Sequence, residues 1–214
     1  DSVMKKLLIL LFSILISFNS YGLFGLFEKT VCVEIDVQDR DGVIYLPNKT
    51  KPFTGKNLCE YQNGQNKSKG KVEDGKKDDI WTEWEENGQI KFERTYNFSQ
   101  ILREKNYQNG VEMNDTIFSY NENGLLEREG NYKDGKRDGK WTLWYENGQK
   151  KSEVNFIDGK KNGKETWWHW NGRIKSKENY KDGRKDGKET EWHKNGQIKE
   201  EATYKDGKCV SGHC

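Results

Sequence analysis

The stretch "WYENGQKKSEVNFIDGKKNGK", residues 144–164, returns as "WHWNGRIKSKENYKDGRKDGK" at 168–188 and, shortened, as "WHKNGQIKEEATYKDGK" at 192–208. Its landmarks keep one spacing. Gly139, Gly163 and Gly187 stand 24 residues apart, and so do Asn147-Gly148, Asn171-Gly172 and Asn195-Gly196. Asp158-Gly159, Asp182-Gly183 and Asp206-Gly207 follow the same ruler. Tyr120, Asn123-Gly124, Tyr132 and Asp134-Gly135 make an earlier unit, and Trp84, Asn87-Gly88 and Tyr96 another, after a gap of 36 residues instead of 24. Asn63-Gly64, Val72 and Asp74-Gly75 mark a degenerate first unit. The 12 extra residues, "SQILREKNYQNG" at 99–110, match the second half of a unit. A repeat that accepts half of itself as an insertion consists of two equivalent pieces.

Each half-unit holds about eight residues between turn signals, rich in Trp, Tyr, Thr, Ile and Phe, which is strand length and strand chemistry. Asn-Gly marks a tight turn because both residues tolerate left-handed backbone. A two-residue Asn-Gly loop would set Trp168 and Ile174 on opposite faces. A three-residue loop closed by Gly172 in a bulge pairs them directly, and the same count pairs Trp84 with Ile90, Tyr120 with Leu126 and Trp192 with Ile198. The unit of Trp144 offers Lys150 instead. That register is therefore expected, with Tyr96, Tyr132, Phe156, Tyr180 and Tyr204 joining the same apolar face. No unit buries enough surface to fold alone, so stability must come from stacking units side by side. The expected fold class is all-β, an elongated antiparallel meander of two-stranded repeats about 24 residues long.

Composition agrees with a thin object of this kind. Of 214 residues only 32% are hydrophobic and 34% are charged, yet 13% are aromatic, with eight Trp. Disordered chains are aromatic-poor, so the core must be a set of regularly placed rings. Lys and Glu are interspersed and the net charge is +2. Without a basic block there is no electrostatic footprint for nucleic acid.

Met4, Lys5 and Lys6 precede an apolar run from Leu7 to Ile16, and Ser20-Tyr21-Gly22 supplies small residues for a signal peptidase. Residues 1–22 are expected to be a signal peptide cleaved after Gly22, which makes the protein periplasmic or secreted. An uncleaved segment would be its only tie to a membrane. Residues 23–52 contain "VCVEIDV" and "GVIYLP", which suggest a capping hairpin turned at Asp41-Gly42; the repeats occupy 53–208, and 209–214 form a Cys-containing tail.

The pattern W-x-x-N-G-x-[IL]-K…Y-K-D-G-K-x-x-G resembles the bacterial variant of the membrane occupation and recognition nexus (MORN) repeat, as found in YwqK-type proteins labelled antitoxins. The resemblance spans roughly residues 53–208. It implies an all-β repeat scaffold with a non-catalytic binding role, and toxin neutralisation as the family's label.

Cys32, Cys59, Cys209 and Cys214 all lie outside the well-formed units. An oxidising compartment favours disulfides at the two ends, with Cys32–Cys59 and Cys209–Cys214 preferred among three possible pairings. Cys209, His213 and Cys214 lack a fourth ligand for a metal, and no cofactor motif is present. "DGRKDGKE", residues 182–189, has the look of turns rather than of a calcium loop, lacking the distal bidentate Glu. His169 and His193 share a column among Glu165, Glu189 and Glu191, without a nucleophile in a recognisable setting.

On the register above, Trp141, Leu143, Tyr145 and Trp167 fall on the outward face, where other units are polar. Either the sheet folds back over them as a second core layer, or they meet a partner. They are the candidate binding residues. The functional expectation is an exported non-catalytic scaffold that binds a protein or an envelope component. The alternatives are an antitoxin acting by direct binding and, third, a glycan-acting enzyme, for which no conspicuous acid pair sits on the aromatic face.

Overall fold

The computed structural model describes residues 28–213. The expected signal peptide lies outside them, as does Cys214. Alternation and turns produce one 16-stranded sheet and a separate two-stranded hairpin, with no helix among the described residues. From Gly55–Glu60 to Lys208–Gly212 the strands follow one another as hydrogen-bonded antiparallel neighbours. A parallel pairing sets Thr30–Val31 along Gly55–Glu60 at the first edge.

The three-residue turn is present in each full unit. At Trp170-Asn171-Gly172 the His169 amide donates to the Arg173 carbonyl at 2.7 Å and the Gly172 amide to the His169 carbonyl at 2.9 Å. Trp84 pairs with Ile90, Tyr120 with Leu126, Trp144 with Lys150, Trp168 with Ile174 and Trp192 with Ile198. Gly172 has φ +80°, and a Cβ there would meet nothing nearer than 3.4 Å. Gly172→Ala is thus strained by backbone conformation alone and should cost about 1 kcal/mol in a denaturant titration. Lys175→Ala, at an exposed position, should leave the midpoint in place.

The two-residue Asp-Gly turns at the other end of each unit hold both residues left-handed, as at Asp182 (φ 49°) and Gly183 (φ 84°). Both kinds of turn are tied to the neighbouring unit. The Gly183 amide donates to the Lys161 carbonyl at 2.8 Å, and Asn147 Nδ2 donates to the Trp170 carbonyl at 3.1 Å.

One expectation fails at the bulge. Trp168 pairs with Ile174, but Trp167 pairs with Ser176, so Lys175 is an extra residue on its strand. The same step occurs at Lys91, Glu127, Lys151 and Lys199. An extra residue breaks the alternation of side chains. Within its own unit each of Tyr96, Tyr132, Phe156, Tyr180 and Tyr204 therefore lies on the face opposite to the pair beside the Asn-Gly turn, such as Trp84–Ile90 or Trp168–Ile174. That face is the one given to Trp141, which is a core residue at 4% exposure. Its cluster holds Val154 and Phe156, with Ile117 and Tyr132 packed against it.

A second consequence comes from the inserted half-unit. Register runs from Trp81 to Arg94 to Glu104 on one face, whereas Arg103, on the other face, leads through Ile117 and Gly130 to Trp141. One added strand makes the chain re-enter its pattern in the opposite direction with the faces exchanged. The two hydrophobic clusters consequently sit on opposite faces of one sheet. The first contains Val72, Trp81 and Tyr96 and is covered by Val31, Ile44 and Phe53 from the N-terminal segment. No segment among the described residues covers the second, which shields itself with its own rings.

The N-terminal cap is a hairpin of Gln38–Arg40 with Val43–Tyr45, turned at Asp41-Gly42. "VCVEIDV" is not one strand, however. The Asp36 amide donates to the Cys32 carbonyl at 2.8 Å, Asp36 Oδ2 accepts from the Cys32 amide at 2.7 Å, and Cys32 is disulfide-bonded to Cys59. This local turn bends the chain before the hairpin. At the other end the expected tail is the last strand of the sheet, with Cys209 paired to Tyr204.

Candidate functional site

The expected binding residues share one face of the sheet, with Trp141 buried in a packing cluster and the other three half-buried. Leu143 and Trp167 both face Ser152 across the ladder, and Trp141 and Tyr145 share their side of the sheet. Trp141 lies flat on Gly130, where a Cβ would come within 2.1 Å of the indole. Its Nε1 donates to the Asn131 carbonyl at 3.0 Å, Tyr132 meets it edge-on at 5.2 Å and the Arg137 guanidinium stacks 4.3 Å from its centroid. Tyr145 Oη donates to the Trp168 carbonyl at 2.7 Å, fastening one unit to the next. His169 Nε2 makes the equivalent contact with the Trp192 carbonyl at 3.0 Å. Three of the four therefore remain half-buried, and Trp141 carries packing.

The repeat position of Trp81 and Trp141 becomes Glu165 and Glu189 in the last two units, on the face of Trp141. The cation column of Lys77 and Arg137 continues as Lys161 and Lys185. Glu165, 2% exposed, takes both of its ion-pair contacts from Lys161 Nζ at 2.7 and 2.5 Å. Lys185 bridges Glu189 at 2.7 Å and Glu178 at 3.3 Å, and Tyr180 Oη donates to Glu178 at 2.6 Å. Burial and the neighbouring Glu178 push the Tyr180 hydroxyl above the ordinary tyrosine range. Burial and Glu93 push Tyr107 up to about 12. Folded pKa values raised above the unfolded ones hold stability below the unfolded value and lose it as pH rises towards the folded one. Stability should accordingly fall between about pH 10 and 12, and the fall should be shallower in Tyr180→Phe, as read by denaturant midpoints across that range.

The opposite face of the last three units is the more regular one. Three strands carry Lys-x-Thr-x-Trp on it: Lys140, Thr142 and Trp144; Lys164, Thr166 and Trp168; Lys188, Thr190 and Trp192. Register aligns them in rows across the sheet. Trp144 and Lys150, Trp168 and Ile174, Trp192 and Ile198 form the row beside the Asn-Gly turns. The middle row reads Thr142, Glu153, Thr166, Lys177, Thr190 and Glu201, each paired with the next. The outer row pairs Lys140 with Asn155, Lys164 with Asn179 and Lys188 with Thr203.

The three Trp are half-buried, Ile198 is 57% exposed, and no segment of the described chain covers them. Lys150 Nζ stands 5.9 Å from the Trp168 centroid and Lys177 Nζ 5.9 Å from that of Trp192. Strands two apart are about 9.6 Å distant, which sets the repeat of the ladder. The corresponding Ile80, Thr82 and Trp84 of the early unit line a groove of about 540 Å³ with Leu58, on the other side of the sheet because of the half-unit. Sequence reasoning paired the Trp residues correctly and took their row for the core; the signal that separates the rows is the extra residue after each Ile.

Among the described residues no group of three or more His, Cys, Asp or Glu could hold a metal ion. The MORN repeat variant family matches at residues 80–98, 137–158, 161–182 and 185–206. Repeats of this kind are generally non-catalytic modules that bind proteins or membranes. No curated protein matches the chain.

Proposed function

We propose that this chain of MORN-type repeats is an exported, non-catalytic scaffold that binds a protein or a cell-envelope component through the face of Trp144, Trp168 and Trp192. The observation that carries the reading is the uncovered row of rings. A fold this poor in apolar residues leaves large aromatic surface half-exposed in register, on the face that the second core cluster does not use. Aromatic anchors flanked by polar residues are the usual composition of binding hot spots. Export is supported by the Lys5–Ile16 pattern and by the Cys32–Cys59 disulfide, which suits an oxidising compartment. Toxin neutralisation would be a special case of the same surface.

The test is photo-crosslinking in cells. A benzophenone side chain at Ile174, in the Trp row, is expected to trap a partner, and one at Leu143 on the other face is not. Trp168→Ala with Trp192→Ala should lower the melting temperature only modestly and abolish the adduct. Equal trapping from both faces would overturn the assignment.

A further inference from the structure

We infer that the Lys-x-Thr-x-Trp face is a three-subsite cradle for a linear, β-linked acidic glycan with a disaccharide repeat, one carboxylate of which sits at the central subsite. This rests on the proposed binding role of that face and names its ligand class.

The rows repeat in phase. Each 24-residue unit presents one indole, one threonine hydroxyl and one ammonium along a single strand, and the next unit presents the same set two strands away. The spacing of about 9.6 Å is close to the length of two pyranose rings joined equatorially. A ligand that repeats itself at this interval meets the same chemistry at each step. Sugars offer an apolar ring face to an aromatic platform and hydroxyls to the Thr and Glu of the middle row and the Asn of the outer one. A globular protein partner has no reason to repeat at one interval across three units.

Charge selects the class of glycan. Lys140 lies 3.9 Å from Glu153, and Lys188 is paired with Glu201 at 2.6 Å. In the middle unit the position held elsewhere by those acids is Lys177, and neither Lys164 nor Lys177 has an acidic partner among the described residues. With Trp168 between its neighbours, the central subsite is the most basic, so it fits an anionic group. The ladder stops at three subsites. The preceding unit carries Thr116, Phe118 and Tyr120 at the equivalent positions, without the lysine, and the early Trp84 unit faces the other way.

Titration calorimetry with hyaluronan fragments of one, two, three and five disaccharides tests the inference, with neutral chito-oligosaccharides of equal length as controls. Affinity should rise with each disaccharide up to three and then level off. Lys164→Gln with Lys177→Gln, the first exposed and the second half-buried, should weaken the acidic fragments on the order of tenfold while leaving the neutral ones unchanged. Trp168→Phe should retain more binding than Trp168→Ala at an unchanged fold, as judged by circular dichroism. Absence of binding at any length would overturn the glycan assignment; if the crosslinked partner at Ile174 persists in that case, the binding face itself stands. Affinity that is the same for one disaccharide as for three would equally overturn it, because the ladder would then play no part.

Discussion

Trp141→Ala is expected to destabilise the protein by about 3–5 kcal/mol, the largest effect of any single truncation in the repeats. The indole is 4% exposed, bonded through Nε1 to the Asn131 carbonyl at 3.0 Å and enclosed by Tyr132, Phe156, Val154 and Arg137. Its removal leaves a void that a one-layer sheet cannot close by shifting a second layer, and it strands the bulge carbonyl that accepts its hydrogen bond. Three residues along the same strand, Trp144 has the same chemistry but points to the other face and is only half-buried. Trp144→Ala should cost on the order of 1–2 kcal/mol. Urea titrations of the two variants measure the difference. Equal losses would mean that the faces have been misassigned.

Gly130→Ala should be nearly as damaging, at about 3 kcal/mol, although it adds one methyl group. The reason is contact rather than conformation. A Cβ on Gly130 would lie 2.1 Å from the Trp141 ring, so the ring must leave its place and give up its packing. The two changes should then be strongly non-additive. In a Trp141→Ala background, where no ring covers the site, Gly130→Ala should have little further effect, and a double-mutant cycle reads this coupling directly. Gly70 and Trp81 stand in the same relation, with the ring 2.3 Å from a Cβ on Gly70, so the cycle can be repeated in the first cluster.

Much of the architecture was legible in residue spacing. Asn-Gly and Asp-Gly at fixed intervals locate the turns, because few residues adopt left-handed backbone cheaply, and the apolar residues flanking each Asn-Gly give the pairing of Trp168 with Ile174 and its equivalents. The half-unit at 99–110 was legible as a single strand for the same reason. The Cys32–Cys59 bond joins the cysteines that flank the cap. The candidate site was legible only as a surplus of aromatics. Trp141 and Trp167 could be singled out, but not told apart in burial from Trp144 and Trp168.

What the sequence by itself determined, then, is the repeat, its turns and its local register, all of which depend on contacts between residues a few positions apart. The tertiary structure decided which side of the sheet each ring occupies. A single extra residue at each bulge reverses alternation for the rest of the strand, and a single extra strand exchanges the faces for the rest of the chain. Both shifts accumulate along the ladder, so the side on which Trp141 packs, and hence the side on which Trp144, Trp168 and Trp192 stay open, follows from the summed pairing of all preceding strands rather than from any local pattern.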